Sequence, residues 1–127
     1  MDIKLELIGV PVSDIDRAKA FYEQVGFHAD HDVTVSDAIR FVQMTPPGSA
    51  CSIAFGQGIT EMAPGSLDNM QVVVADIEAA HADLTSRGVD VSAIVDQPWG
   101  SFVYFADPDG NRWAVQQITP RNASDAG

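Results

Sequence analysis

Cationic side chains are scarce in this sequence. Seven Lys and Arg stand against eighteen Asp and Glu, for a net charge of −11 over 127 residues. Nucleic acids and anionic membranes both reward Lys and Arg, so neither is expected as a partner. A cationic or neutral ligand remains compatible, and surface Asp and Glu also serve solubility. Only one cysteine is present, Cys51. No internal disulfide can form, and a reducing cytoplasm is the expected location. Long hydrophobic runs are missing too, since none approaches the ~20 residues of a membrane span. The first residues, Met1-Asp2-Ile3-Lys4-Leu5-Glu6, alternate as a strand does and lack a signal peptide's apolar core. Asn122-Ala123-Ser124 fits a glycosylation sequon, which carries no weight without a secretion signal. What is present is the composition of a globular chain, 46% hydrophobic and 20% charged. Its length suits one domain, or two half-domains sharing a core.

The chain reads as a duplication. Val12-Ser13-Asp14-Ile15-Asp16-Arg17-Ala18 matches Val74-Ala75-Asp76-Ile77-Glu78-Ala79-Ala80 at an offset of 62 without a gap. Gly26 matches Gly88 in the same register, and Pro46, Gly48 and Ile53 match Pro108, Gly110 and Val115. In each copy a strand (residues 4–12 and 70–74) leads to an acidic N-cap, Asp14 or Asp76. A helix follows, with Ile15, Ala18, Phe21, Tyr22 and Val25 in the first and Ile77, Ala80, His81, Leu84 and Arg87 in the second at three- and four-residue spacing. Gly26 and Gly88 stand where a left-handed C-terminal residue is expected. Three strands then follow per copy, over residues 27–35, 39–44 and 51–55, and over 89–95, 102–105 and 113–118. The expected fold is α+β: two tandem βαβββ modules, residues 1–56 and 67–118, joined by a linker over 57–66 and followed by a flexible tail over 119–127. Two curved half-sheets side by side would form one cup-shaped mixed sheet, with the helices on its outer face.

Strand alternation assigns side chains to that cup. It places Leu7, Gly9 and Ser52 inward from the first module, and Asn69, Gln71, Ala114 and Gln116 from the second. Amides aimed at a concavity need partners, which favours a ligand-filled pocket over a sealed core. In the third strands, Arg40 falls with Phe102 and Tyr104 at the same offset. That face is assigned to the cup because a guanidinium under a helix would be costly. Trp99, between Pro98 and Gly100, is read as a lid over the ligand.

The turn Asp107-Pro108-Asp109-Gly110-Asn111 joins two strand-like runs, with Pro pre-setting φ and Gly supplying φ > 0. Together with the paired βαβββ pattern, the Val-x-Asp-Ile helix start and Phe21-Tyr22, it resembles the vicinal oxygen chelate superfamily over residues 3–118. That superfamily includes glyoxalase I, bleomycin-resistance proteins, extradiol dioxygenases and related epimerases. The resemblance implies a divalent metal held by His or Glu at positions that here are Leu7, Ser52, Asn69 and Ala114. None of these is a credible ligand, because a catalytic site needs about three imidazole or carboxylate donors. No metal, no cofactor and no catalytic residue is therefore assigned.

Other candidates read as structural. In His28-Ala29-Asp30-His31-Asp32, strand parity puts 28, 30 and 32 on one face and turns His31 away, and a charged edge strand that avoids aggregation accounts for it. His81 is read as a packing residue and Cys51 as buried beneath a helix rather than nucleophilic. The resemblance then implies a metal-free binding protein that sequesters a bulky, aromatic small molecule such as an antibiotic, and a homodimer with exchanged modules. The alternative is a glyoxalase-like lyase or isomerase acting on a small oxygenated substrate, with Tyr104 and His28 as its weak acid/base candidates.

Overall fold

Each repeat folds as one strand, one helix and three further strands, in a computed structural model that describes residues 1–121. The first contains β1 (Leu7–Gly9), α1 (Ile15–Val25), β2 (His28–Ser36), β3 (Ile39–Thr45) and β4 (Ser52–Gly56). Its sheet runs β1-β4-β3-β2, with β1 parallel to β4 and the other pairs antiparallel. The second contains β5 (Met70–Val73), α2 (Ile77–Ser86), β6 (Val95–Gln97), β7 (Gly100–Ala106) and β8 (Arg112–Gln117), in the order β5-β8-β7-β6. The expectation of an α+β fold in two tandem βαβββ modules holds, each with its own open, mixed four-stranded sheet. By contacts the chain divides into two compact units, Met1–Leu67 with Asp107–Asn111, and Asp68–Ala106 with the chain from Arg112 onward.

Local chemistry sets both helices. Asp14 is extended (φ −137°) and its carboxylate accepts from Arg17 N, while Asp76 accepts from Glu78 N and Ala79 N. These bonds satisfy donors that have no partner within the helix. Gly26 closes α1 at φ 113°, a left-handed conformation that suits glycine. α1 buries Ala18 and Tyr22, and α2 buries Ile77 and Leu84. The first unit's core adds Val10, Val42, Met44, Ile53 and Phe55; the second unit's adds Val103, Phe105, Trp113 and Val115.

Two expected strands are shorter in the structure. β1 spans only Leu7–Gly9, and the stretch expected as a strand over 89–95 pairs regularly only from Val95. There Ser92 replaces a ladder: its N–H donates to Tyr104 O at 2.9 Å, and its hydroxyl accepts from Tyr104 N at 2.9 Å. Of the segment expected as a flexible tail, Arg121 is held. Its N–H donates to Ser101 Oγ, and its guanidinium pairs with Asp96 and Glu78. The rest of that segment, including Asn122-Ala123-Ser124, lies outside the described residues.

The ladders also correct the gapless offset. Leu7 pairs with Ser52, whereas Ala114, the counterpart of Ser52, pairs with Gln71 and not Asn69. The first strands therefore correspond at an offset of 64. In the third strands Met44 opposes Ile53 and Val103 opposes Val115, an offset of 59. The helix starts remain at 62, so the connections between elements differ in length. An odd shift reverses which face a side chain takes.

Candidate functional site

The turn between β7 and β8 packs within the first unit. Gly110 N donates to Asp107 O at 2.9 Å, and Gly110 adopts φ 101°. Asp107 Oδ1 accepts from Asp109 N and Asn111 N, and its Oδ2 accepts from Asn111 Nδ2 at 2.8 Å and Tyr22 Oη at 2.7 Å. Asn111 also donates to Pro11 O and accepts from Leu67 N. Asp107 and Asn111 are both buried, and every buried side-chain polar atom among the described residues has a partner. This network is structural. Its sequence signal is a tyrosine on the buried side of a helix, because a buried phenol needs an acceptor.

The reversed parity moves Arg40. It shares a face with Val42, which opposes Phe55, and Phe55 packs on Tyr22 of α1. Arg40 is therefore on the helix-bearing face rather than the one expected. Asp32 makes this tolerable, accepting from Arg40 Nε at 2.9 Å and Nη2 at 2.8 Å, and Asp16 of α1 accepts from Nη1 at 2.6 Å. Lys19 Nζ adds 2.9 Å to Asp32. The hydrogen bonds from Arg40 and Lys19 hold the Asp32 carboxyl well below the usual carboxylate range. Arg40 lines an open polar cleft of about 690 Å³ with Asp14, Asp16, Asp37 and Gln57, and its guanidinium is already committed.

A β-bulge at Asp30 changes the reading of the His/Asp cluster. His28 opposes Thr45 and His31 opposes Gln43, so both imidazoles share the face opposite the helix, while Asp32 turns to the helix side. The extra residue of the bulge resets the alternation. On that helix-free face Asp30 accepts from Thr45 Oγ1, which lies 2.6 Å from Ser52 Oγ. Leu7 is 39% exposed and Gly9 half-buried, and Ser52 retains 6% of its surface. Cys51 is half-buried and its thiol is pushed up by desolvation, the opposite of an activated nucleophile. His81 is half-buried.

The second unit gathers most of the expected site residues. Gln71, Phe102, Tyr104, Ala114 and Gln116 share its helix-free face: Tyr104 opposes Ala114, Ala114 opposes Gln71, and Phe102 opposes Gln116. The rings of Phe102 and Tyr104 are stacked, 6.0 Å between centroids and 2° from parallel. Phe102 is buried and Tyr104 is 42% exposed. Gln71 Nε2 donates to Gln116 Oε1, and Gln116 Nε2 to Trp99 O at 3.3 Å. Trp99, in the turn of the β6–β7 hairpin, is 63% exposed. Asn69 precedes β5 at φ 69° and is not part of the ladder. With Asp68, Tyr104, Arg112 and Ala114 it lines a pocket of about 270 Å³, and Arg112 pairs with Asp68 at that pocket's rim.

Of the four positions at which the resemblance implies metal ligands, Leu7 lies opposite Ser52 in the ladder, whereas Ala114 lies opposite Gln71 rather than Asn69. These four side chains offer no imidazole, thiolate or carboxylate, and Ser52 Oγ is engaged by Thr45. They do not fit a divalent metal. Among the described residues no group of three His, Cys, Asp or Glu is arranged to hold one.

Residues 4–115 match the family model for the Glyoxalase/Bleomycin resistance protein/Dioxygenase superfamily. Among solved structures, the chain is similar to TnmS3, an antibiotic-binding protein from Streptomyces sp. CB03234. The two share 37% identity over 94% of this chain and 99% of that one, with a TM-score of 0.82. A glyoxalase/bleomycin resistance protein from the same organism is also 37% identical, covering 90% and 100% of the two chains at a TM-score of 0.77. A bleomycin resistance determinant encoded on the transposon Tn5 shares the fold at 21% identity, with coverage of 91% and 98% and a TM-score of 0.69. No curated protein matches the chain.

Proposed function

Because this chain belongs to the Glyoxalase/Bleomycin resistance protein/Dioxygenase superfamily, we propose that it is a binding protein of that superfamily. In this reading it sequesters a bulky aromatic small molecule, such as an antibiotic, without a metal, a cofactor or turnover. The observation that carries the reading is the helix-free face of the second unit. Where the resemblance implies a metal-binding Glu, this chain presents Ala114, with Gln71 opposite it in the ladder and a stacked Phe102–Tyr104 pair on the same face. Stacking is worth about 0.5–1.5 kcal/mol per aromatic pair beyond burial. Amides at Gln71 and Gln116 supply direction, and Trp99 supplies an exposed aromatic at the hairpin turn. The likeness to TnmS3, described as antibiotic-binding, supports the ligand class.

A homodimer with exchanged modules, working in the cytoplasm, belongs to the same reading. No helix among the described residues is long and apolar enough to cross a membrane. Exposed apolar side chains, among them Leu5, Val33, Val35 and Val73, offer surface that a second copy can cover. Sedimentation equilibrium tests this, with a monomer at all concentrations as the adverse result.

Calorimetric titration with a panel of planar aromatic compounds, with and without chelator, tests the function. Binding that chelator leaves unchanged is expected. Chelator-sensitive turnover of a 2-oxoaldehyde–thiol adduct would replace binding by the glyoxalase-like alternative.

A further inference from the structure

A chain of hydroxyls on the helix-free face of the first unit fixes where its protons point. Asp30, re-aimed by the bulge in β2, accepts from Thr45 Oγ1. A carboxylate has no proton to give. Thr45 has a single hydroxyl proton, and it is committed to Asp30. The 2.6 Å contact between Thr45 and Ser52 must then carry the proton of Ser52. Ser52 Oγ is left with lone pairs and no proton to offer, so it can only accept. Successive donation toward a carboxylate polarises each O–H along the way.

The second unit repeats this polarity with different groups. Gln71 Nε2 donates to Gln116 Oε1 and Gln116 Nε2 donates to Trp99 O, which leaves Gln71 Oε1 without a donor among the described residues. Each relay thus ends on an acceptor, Ser52 Oγ in the first unit and Gln71 Oε1 in the second.

We propose that Ser52 Oγ accepts a hydrogen bond from a donor on the ligand, an aromatic hydroxyl or a protonated amine, and that Asp30, acting through Thr45, is the positioning residue that sets this polarity. The inference rests on the reading of the chain as an aromatic-ligand binder and narrows the ligand class. The chain's net charge of −11 favours the cationic member of that class. Ser52 retains only 6% of its surface. A donor that reaches it leaves water, and a ligand group without a proton there would lose its hydration with nothing in return.

Calorimetry on the full chain with 2-naphthol and 2-methoxynaphthalene tests the proposal, because the two share a frame and differ in the donor. Wild type is expected to bind 2-naphthol tighter by about 5- to 20-fold, the effect of one hydrogen bond in a desolvated place. In Thr45→Val the relay is cut, Ser52 can turn its proton outward, and the ratio should fall toward one. In Asp30→Asn the introduced amide can donate to Thr45, which then donates to Ser52. That makes Ser52 an outward donor, and the preference should vanish or reverse. Thermal melts confirm that both variants are folded, and a merely structural role would weaken both probes alike without moving their ratio. Equal affinities in wild type, or a wild-type ratio preserved in both folded variants, overturn the proposal and leave the binding function standing. Failure of wild type to bind either probe while another planar aromatic of the panel binds overturns the proposal alone, and no binding across the panel overturns the reading it rests on.

Discussion

Tyr22 Oη donates to Asp107 Oδ2 at 2.7 Å, joining two residues 85 apart in sequence. One partner lies in the third turn of α1, and the other opens the turn between β7 and β8. Three further donors converge on the same carboxylate, from Asp109 N, Asn111 N and Asn111 Nδ2. Tyr22→Phe keeps the ring packing and removes one charge-assisted bond. The expected loss is about 1.5–3 kcal/mol of unfolding free energy, read by urea denaturation. A loss below a few tenths would mean that the bond is not part of what stabilises the turn.

Asp32 gives a pH signature. Its pKa in the folded chain is depressed by the hydrogen bonds of Arg40 and Lys19. Its stabilising effect is therefore complete above the unfolded value of about 4 and is lost as pH falls through the lower folded value. The stability gap between wild type and Asp32→Asn is expected to be constant from about pH 5 to 7 and to shrink below about pH 4. Denaturant midpoints across that range check it, and a gap that widens on acidification would contradict the sign.

Trp99 and Trp113 report separately on the proposed binding face and on the core. Trp99 is 63% exposed and Trp113 is 3% exposed, stacked on Phe105 at 5.8 Å. Saturation with a planar aromatic probe that neither absorbs nor emits in the indole range should alter the red-shifted, exposed emission and spare the buried component. Trp99→Phe should abolish that change. Tyr104→Ala should weaken the probe by about 3- to 10-fold through loss of stacking, with an unchanged melting temperature as the control.

Gly65 is fixed by sterics. It adopts φ 79°, and a Cβ there would lie 2.0 Å from Asp109 O, a backbone atom that the turn holds in place. Gly65→Ala is expected to cost more than about 2 kcal/mol, combining left-handed strain with a backbone clash. At Gly9 the nearest atom is the Ile59 Cγ2 methyl at 3.0 Å and the nearest backbone atom is 3.6 Å away, so Gly9→Ala should cost less. Comparing the two by thermal unfolding tests the ranking.

Signals confined to a few residues were legible in the sequence. Asp14 and Asp76 cap their helices as their side chains dictate, Gly26 and Gly110 take positive φ, and the pattern of βαβββ twice stands in the structure. Features that depend on pairing across strands were not legible. The bulge at Asp30 places His31 beside His28 on one face, although simple alternation separates them. Arg40 lies on the helix side because Asp32 and Asp16 neutralise it there, a compensation visible only once β2, β3 and α1 are assembled. Parity in β7 and β8 was legible, and Tyr104, Ala114 and Gln116 share a face there without an intervening bulge. Asn69 was misplaced because counting from a helix start assumed connections of equal length.

That inequality bears on any attempt to give this protein new chemistry. A histidine or glutamate introduced at Asn69 would stand outside the hydrogen-bonded ladder, on a residue at φ 69°. At Gln71 it would emerge directly beside residue 114, on the same face as Tyr104. Roles must be carried from one half of the chain to the other through strand partners, not by adding a constant to a residue number. The two halves have kept their architecture while losing their common ruler.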